Sequence, residues 1–314
     1  MPRLVPLLLA VGLLTALLAS PSAGGAVVAV PGTLGGSSLV YSFAFANVDG
    51  QQQDIRVLLH LPPQPDARLP LTVLVALHGY GGNGGAFSLP LLAETDRLGW
   101  AVVAPTIQYR DWHDPALVCR DARDDLPGLR AILRDLPGRT GLRFQPRALL
   151  YGFSRGAQFA HRFALAYPQL VAGVAAMSAG TYTLPQAAWR EPNGTATTLN
   201  MPYGVSDLQR YSGEPFSLAG LRQVPFWIGV GANDHESQDV PRNWDQYIGD
   251  CRVDRATAFV GALQSLGVSV RLQQFANTSH VETDEMRAAA LEFLRSLPAA
   301  SPRPAAEPSL APSA

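Results

Sequence analysis

Residues 151–156 read Tyr-Gly-Phe-Ser-Arg-Gly, a G-x-S-x-G pattern preceded by the apolar run 147–151 and followed by helical spacing through Ala157, Ala160, Phe163, Ala164 and Tyr167. The pattern predicts a nucleophile elbow, in which a sharp strand-to-helix turn lifts a serine hydroxyl clear of a sheet and the flanking glycines leave room for crowded backbone. The competing reading is an ordinary strand-turn-helix with Ser154 as a small turn residue. A serine hydroxyl is a poor nucleophile at neutral pH, so attack on a carbonyl needs a base, and the base needs a group to orient it. Asp234, in Gly231-Ala232-Asn233-Asp234, and His280, in Asn277-Thr278-Ser279-His280, each follow an apolar strand-like run further along the chain. In the resulting assignment His280 takes and returns the proton, and Asp234 holds His280 and stabilises its cation. The backbone N–H groups of Arg155 and Tyr80 are the expected donors to the oxyanion.

Other titratable groups compete for these roles. Asp239 and Glu236 are rival acids in the loop of Asp234, and His235 and His113 fall in loops at the same expected edge. His78, which precedes the cluster Gly79-Tyr80-Gly81-Gly82, is expected to brace that loop by hydrogen bonding. His60 and His161 lie inside a predicted strand and a predicted helix and are read as structural.

These groups must be positioned by the elements around them. Alternation predicts an antiparallel hairpin over 38–46 and 54–61. Continuous apolar runs at 71–77, 100–107, 147–151, 171–178, 226–230 and 268–275 predict strands buried on both faces, separated by helical segments at 88–98, 120–136, 156–167, 253–266 and 282–297. Strands alternating with helices require a doubly wound, mostly parallel sheet, here of about eight strands in an α/β fold. In such a sheet catalytic groups collect at the carboxyl ends of strands, where Ser154, Asp234 and His280 all fall. The segment 181–222 is too long for a plain connection and follows the sixth predicted strand. It is read as a lid-like insertion shaping a pocket with Tyr182, Leu184, Trp189, Leu199, Met201, Tyr203 and Phe216, against the alternative that these pack beneath it as a satellite cluster.

Composition excludes other classes. The 314 residues carry 25 acidic and 24 basic side chains, so neither nucleic acid nor an anionic membrane surface is an expected partner. Residues 1–26, with Arg3, an apolar stretch and small residues after it, read as a signal peptide, too short and too interrupted by Pro6 for a stable membrane anchor. The expected destination is secreted or extracytoplasmic, with 27–297 as the catalytic domain and 298–314 as a disordered Pro/Ala/Ser tail. In an oxidising compartment Cys119 and Cys251 can pair in a disulfide, the alternative being two buried free thiols. Their spacing argues against a zinc or redox site, and no metal or cofactor is expected.

Taken together, the elbow, the His-Gly-Tyr-Gly-Gly loop, the Gly-Ala-Asn-Asp loop and the final Ser-His, in the order Ser, Asp, His, resemble the secreted α/β-hydrolase esterases of the poly(3-hydroxybutyrate) depolymerase and feruloyl esterase group. The resemblance spans about residues 38–297. It implies a metal-independent serine hydrolase acting on a small-molecule or polymeric carboxylic ester through an acyl-enzyme. A peptidase on the same fold and a catalytically inactive binding module are the alternatives. Arg155 departs from the pattern, since many relatives carry a small residue after the serine.

Overall fold

The computed structural model describes residues 36–191 and 194–298, together with the backbone of 28–30. The expected signal peptide and all of the expected tail except Pro298 lie outside these residues. The described residues hold eleven strands and eight helices, among which the alternation read from the sequence recurs. The hairpin β2 (Ser37–Ala46) and β3 (Gln52–Leu61) is joined by a short edge strand β1 (Val28–Val30), and then come β4 (Val73–Leu77), α1 (Gly84–Leu98), β5 (Ala101–Thr106) and α2 (Pro115–Thr140). After these run β6 (Ala148–Phe153), α3 (Arg155–Ala166) and β7 (Val171–Met177). The insertion carries β8 (Ala188–Arg190), β9 (Ala196–Thr198), α4 (Gln209–Ser212) and α5 (Leu218–Leu221). The chain ends through β10 (Phe226–Gly231), α6 (Asp245–Ile248), α7 (Arg252–Ser265), β11 (Val270–Phe275) and α8 (Asp284–Arg295).

Nine strands form one sheet in the order β1-β2-β3-β5-β4-β6-β7-β10-β11, and β8 and β9 form a separate ribbon. From β5 to β11 every pairing is parallel, while β1, β2 and β3 make an antiparallel edge. The inner parallel strands β4 to β7 and β10 are buried on both faces because helices cover both, whereas β11, expected to be buried likewise, stands at the sheet edge with only Phe275 of its residues buried. Leu91 and Leu92 of α1 and Met286, Ala290 and Leu294 of α8 pack one face, and α2, α3 and α7 pack the other through residues such as Leu126, Phe163 and Phe259.

α2 begins at Pro115, five residues before its expected start. The side chain of Asp114 caps it by accepting from Ala116 N–H, and Pro115 occupies the first turn, where its missing N–H is harmless. The Asp-Pro pair was a start signal in plain view, hidden by the looser apolar periodicity of that first turn.

The insertion packs its apolar side chains inward. Tyr182, Leu184, Leu199 and Met201 are buried in the main core, and Trp189, Tyr203 and Phe216 pack against it. Tyr182 stacks on Phe259 at 4.4 Å between centroids, and Trp244 Nε1 donates to its carbonyl at 3.1 Å. Segment 181–222 is thus built into the domain on the face of α2, α3 and α7, with the aromatic residues turned inward.

Candidate active site

Ser154 sits between β6 and α3 with φ 54° and ψ −116°, a strained conformation for a residue with a side chain. The two glycines of the motif are there for close approach. A Cβ on Gly156 would lie 1.8 Å from the Leu77 carbonyl oxygen, and one on Gly152 would meet the Gly156 backbone at 2.5 Å. Backbone on either side thus closes around the serine, and Ser154 N–H donates to Met177 O at the end of β7.

The loops after β10 and β11 bring the other two side chains to it. They are stitched together by Ala232 N–H to Phe275 O and Asn233 N–H to Thr278 O, both 2.8 Å. Ser154 Oγ lies 3.0 Å from His280 Nε2, and His280 Nδ1 lies 2.9 Å from Asp234 Oδ2. With Nδ1–H donating to the carboxylate, Nε2 is free to accept the serine proton. The imidazole is partly exposed and stacks on Phe153 with 5.1 Å between centroids.

Asp234 is fully buried. Burial alone would raise its pKa, but the hydrogen bond from His280 and the charge of Arg252 outweigh it and hold the carboxyl below the usual value. Arg252 Nη1 donates to Asp234 Oδ1 at 2.9 Å and Nη2 to Asp239 O at 2.9 Å. Sequence reasoning missed Arg252, whose only signal was an arginine at the start of a helix in the acid's half of the chain. The rival acids stay outside. Asp239 offers Arg252 its carbonyl, and the side chains of Asp239 and Glu236 are exposed.

His78 braces its loop, as expected. Ile107 N–H donates to Nε2 at 3.0 Å and Nδ1 donates to Gly79 O at 2.6 Å, which fixes one neutral tautomer, and burial lowers its pKa. Gly79 lies against the serine, a Cβ there falling 3.5 Å from Ser154 Cβ, so the loop that ends in Tyr80 passes beside the nucleophile. Arg155 is the first residue of α3, where a backbone N–H has no partner within its own helix. Arg155 follows Ser154 directly, and the Gly79 backbone lies on its other side. His235 and His113 are exposed, His235 3.4 Å from Cys251 Sγ and His113 2.9 Å from Asp111. His60 ties Ser38 to Asp96, and buried His161 donates to Ala157 O and accepts Thr183 N–H, both structural roles.

The Arg155 side chain is turned into the interior. Its guanidinium is buried, pairs with Asp121, donates to Gln158 Oε1 at 2.6 Å and lies over the Tyr109 ring at 5.1 Å. Arg110 joins Asp121 to Asp124, with 2.8 Å to each. This network holds the residue after the nucleophile from below.

The disulfide expectation is corrected. Cys119 and Cys251 are free and buried. Cys119 lies on α2, which packs on β2, β3 and α3, whereas Cys251 caps α7 over β10 and β11, with α3 and the central strands between. A shared sheet edge did not imply proximity, since neighbouring strands are about 4.8 Å apart and several intervene. Among the described residues, Asp250, Cys251 and Asp254 are the one trio with metal-ligand atoms within 4.8 Å of one another. Its two carboxylates are exposed and burial raises the Cys251 pKa, which disfavours the thiolate a metal needs.

Elbow, bracing loop, acid loop and histidine loop all stand at the carboxyl edge of one doubly wound sheet. A sequence family described by the alpha/beta hydrolase fold matches residues 72–205. The chain has the α/β-hydrolase fold. Among solved α/β structures, a poly(aspartic acid) hydrolase from Sphingomonas is 20% identical with a TM-score of 0.60, covering 80% of this chain and 97% of that one. An S-formylglutathione hydrolase from Agrobacterium tumefaciens is 16% identical with a TM-score of 0.56, covering 86% and 97%. A ferulic acid esterase from Anaeromyces mucronatus is 14% identical with a TM-score of 0.55, covering 84% and 92%. A search of curated protein sequences finds no match. These likenesses establish the hydrolase fold, and the chemistry rests on the side chains.

Proposed function

We propose that the protein is an exported serine hydrolase that cleaves carboxylic esters through an acyl-enzyme. The observation that carries the reading is the run Ser154 Oγ to His280 Nε2 at 3.0 Å and His280 Nδ1 to Asp234 Oδ2 at 2.9 Å, on a strained elbow. Ser154 attacks the ester carbonyl as His280 takes its proton. The oxyanion is met by the N–H groups of Arg155 and of the Gly79-Tyr80 loop, and His280 then protonates the leaving alcohol. Water, deprotonated by the same imidazole, releases the acid and restores Ser154.

The surroundings favour a bulky or polymeric substrate. Tyr80 is 52% exposed and stands edge-on to Trp112 with centroids 4.7 Å apart, and Val281, next to His280, is 49% exposed. An open aromatic and apolar rim suits a chain laid across the site. The ferulic acid esterase and poly(aspartic acid) hydrolase likenesses agree with acyl transfer to water on this scaffold. Export rests on the leader-like residues 1–26 alone.

The test is labelling by a fluorophosphonate together with hydrolysis of aryl esters and soluble polyester oligomers, with Ser154→Ala as blank. Labelling and turnover that vanish in the blank support the reading; folded wild-type protein that neither labels nor turns over any ester sinks it. Sequencing the amino terminus of the mature chain tests export.

A further inference from the structure

A small cavity lies beneath the nucleophile elbow, between α2 and α3. Arg155 and Arg162, about two turns apart on α3, line it together with Tyr109, Asp121 and Phe159. It leaves about 10 Å³ for the centre of a water-sized sphere, which is room for one water or one small ion and no more. Both arginines are buried, at 3% and 4% exposure.

The charges around this cavity do not balance. Asp121 pairs with Arg155 and with Arg110, and Arg110 also holds Asp124, which Arg120 and Arg123 approach from outside. Arg162 makes no ion pair among the described residues. Its Nε and Nη2 donate to the neutral hydroxyls of Thr183 and Thr181 at 2.9 and 2.8 Å. Arg110, Arg155 and Arg162 therefore share two carboxylates in this layer. Asp125, one turn along α2 from Asp121, does not make up the difference below neutrality, because burial, with the charge of Asp121 next, raises its pKa to about 7. A buried guanidinium without a counter-charge is costly, and burial together with the charge of Arg155 lowers the Arg162 pKa to about 9.

Hydrogen-bond donors are left over as well. Arg155 Nη1 is taken by Gln158 and Nη2 by Asp121, but Arg155 Nε and the Tyr109 hydroxyl are both shielded from solvent without a hydrogen-bond partner. Unspent donors and a surplus positive charge around one ion-sized space call for a compact acceptor that carries negative charge. A carboxylate or phosphate is too large for it. We propose that the cavity binds a single halide ion, chloride in ordinary media, held by Arg155, Arg162 and the Tyr109 hydroxyl. The ion neutralises Arg162 and fixes the side chain of the residue that follows Ser154, as a structural anion under the elbow. A water molecule in the same place satisfies the donors and leaves the charge uncompensated.

The test measures the melting temperature of the full chain at constant ionic strength while sodium gluconate is exchanged for sodium chloride, which separates a bound ion from general screening. The melting temperature should rise saturably by about 2–4 °C as chloride replaces gluconate, and bromide should reproduce the rise. Crystals soaked in bromide should show an anomalous peak within hydrogen-bond reach of Arg155 Nε and Arg162. Arg162→Met, which removes the surplus charge, should abolish the chloride dependence. If that variant fails to fold, Tyr109→Phe decides: it deletes one donor, keeps every charge and should raise the chloride concentration at half-effect about tenfold. Identical melting in chloride and gluconate, a dependence unchanged in the folded variant, or bromide peaks at the surface only would overturn the proposal and leave water in the cavity. Stability and ion density are the readouts throughout, so the outcome does not depend on the ester-hydrolase reading.

Discussion

Two hydrogen-bonded chains leave adjacent residues in opposite directions. From Ser154 one runs outward along the sheet edge through His280 to Asp234 and Arg252. From Arg155 the other runs inward, through Asp121 to Arg110 and Asp124 on one side, and through Gln158 and Thr181 to Arg162 and Thr183 on the other. The outer chain is partly open to solvent and turns on a histidine, a group that changes charge near neutral pH. The inner one is largely buried and relies on arginines, which carry their charge at neutral pH even where burial lowers the pKa of Arg162 to about 9. One is suited to moving a proton and the other to holding backbone still.

Breaking the outer chain should abolish activity without unfolding the protein. Ser154→Ala should lower ester turnover by roughly 10⁶-fold with an unchanged melting curve, since it only shortens a small side chain. Asp234→Asn should cost about 10⁴-fold in kcat, by losing the tautomer of His280. It should also lower the melting temperature, because Arg252 is left as a buried charge without its carboxylate. A melting temperature that falls with Ser154→Ala as far as with Asp234→Asn would blur the distinction.

Breaking the inner chain should show the reverse. Asp121→Asn leaves buried Arg155 without its counter-charge, for a loss on the order of 3–5 kcal/mol in denaturant unfolding, with a smaller drop in kcat than Asp234→Asn. If kcat collapses while stability holds, the network belongs to the chemistry and the comparison fails.

A further effect is a pH dependence of stability. Burial, with the charge of Asp121 next, raises the Asp125 pKa to about 7 from 3.8. Between these values the folded protein keeps a proton that the unfolded chain releases, so stability falls as pH rises through that window. Asp125→Asn should melt higher than wild type above pH ~7 and show no advantage below pH ~4. His78 and His161 act in the other direction. Burial holds both below 6.5, so the unfolded chain binds protons first and stability declines as pH falls past that value. An Asp125→Asn advantage of equal size at all pH values would contradict the assignment.

How far the sequence could be read follows the same division. Ser154, Asp234 and His280 were visible because each lies just past an apolar run, and a parallel sheet gathers strand ends at one edge. Gly152 and Gly156 were legible for the same local reason, a turn that admits no Cβ. Arg252 and the Asp121 network were not, since their partners lie on different elements and no periodicity marks which arginine of a helix faces inward. The depth of the insertion's side chains was not legible because prolines and glycines mark irregular backbone but say nothing about burial, and Tyr182 in an irregular stretch is as buried as Phe163 in a helix. The cysteine pairing failed because sequence indicates which edge a residue occupies and not how many strands stand between two residues on it.

The anchoring of segment 181–222 bears on how this scaffold could be re-engineered. Arg162 reaches Thr181 and Thr183, and His161 accepts Thr183 N–H, so the helix that starts at the nucleophile grips the first residues of the segment. Exchanging the whole stretch for that of another hydrolase would tear out part of the interior. The β8–β9 ribbon, exposed apart from Trp189, is the natural graft point, since varying it around a retained Trp189 leaves Tyr182, Leu184 and Leu199 in place. A library confined to that ribbon would vary the surface of the enzyme without loosening the helix that carries its serine.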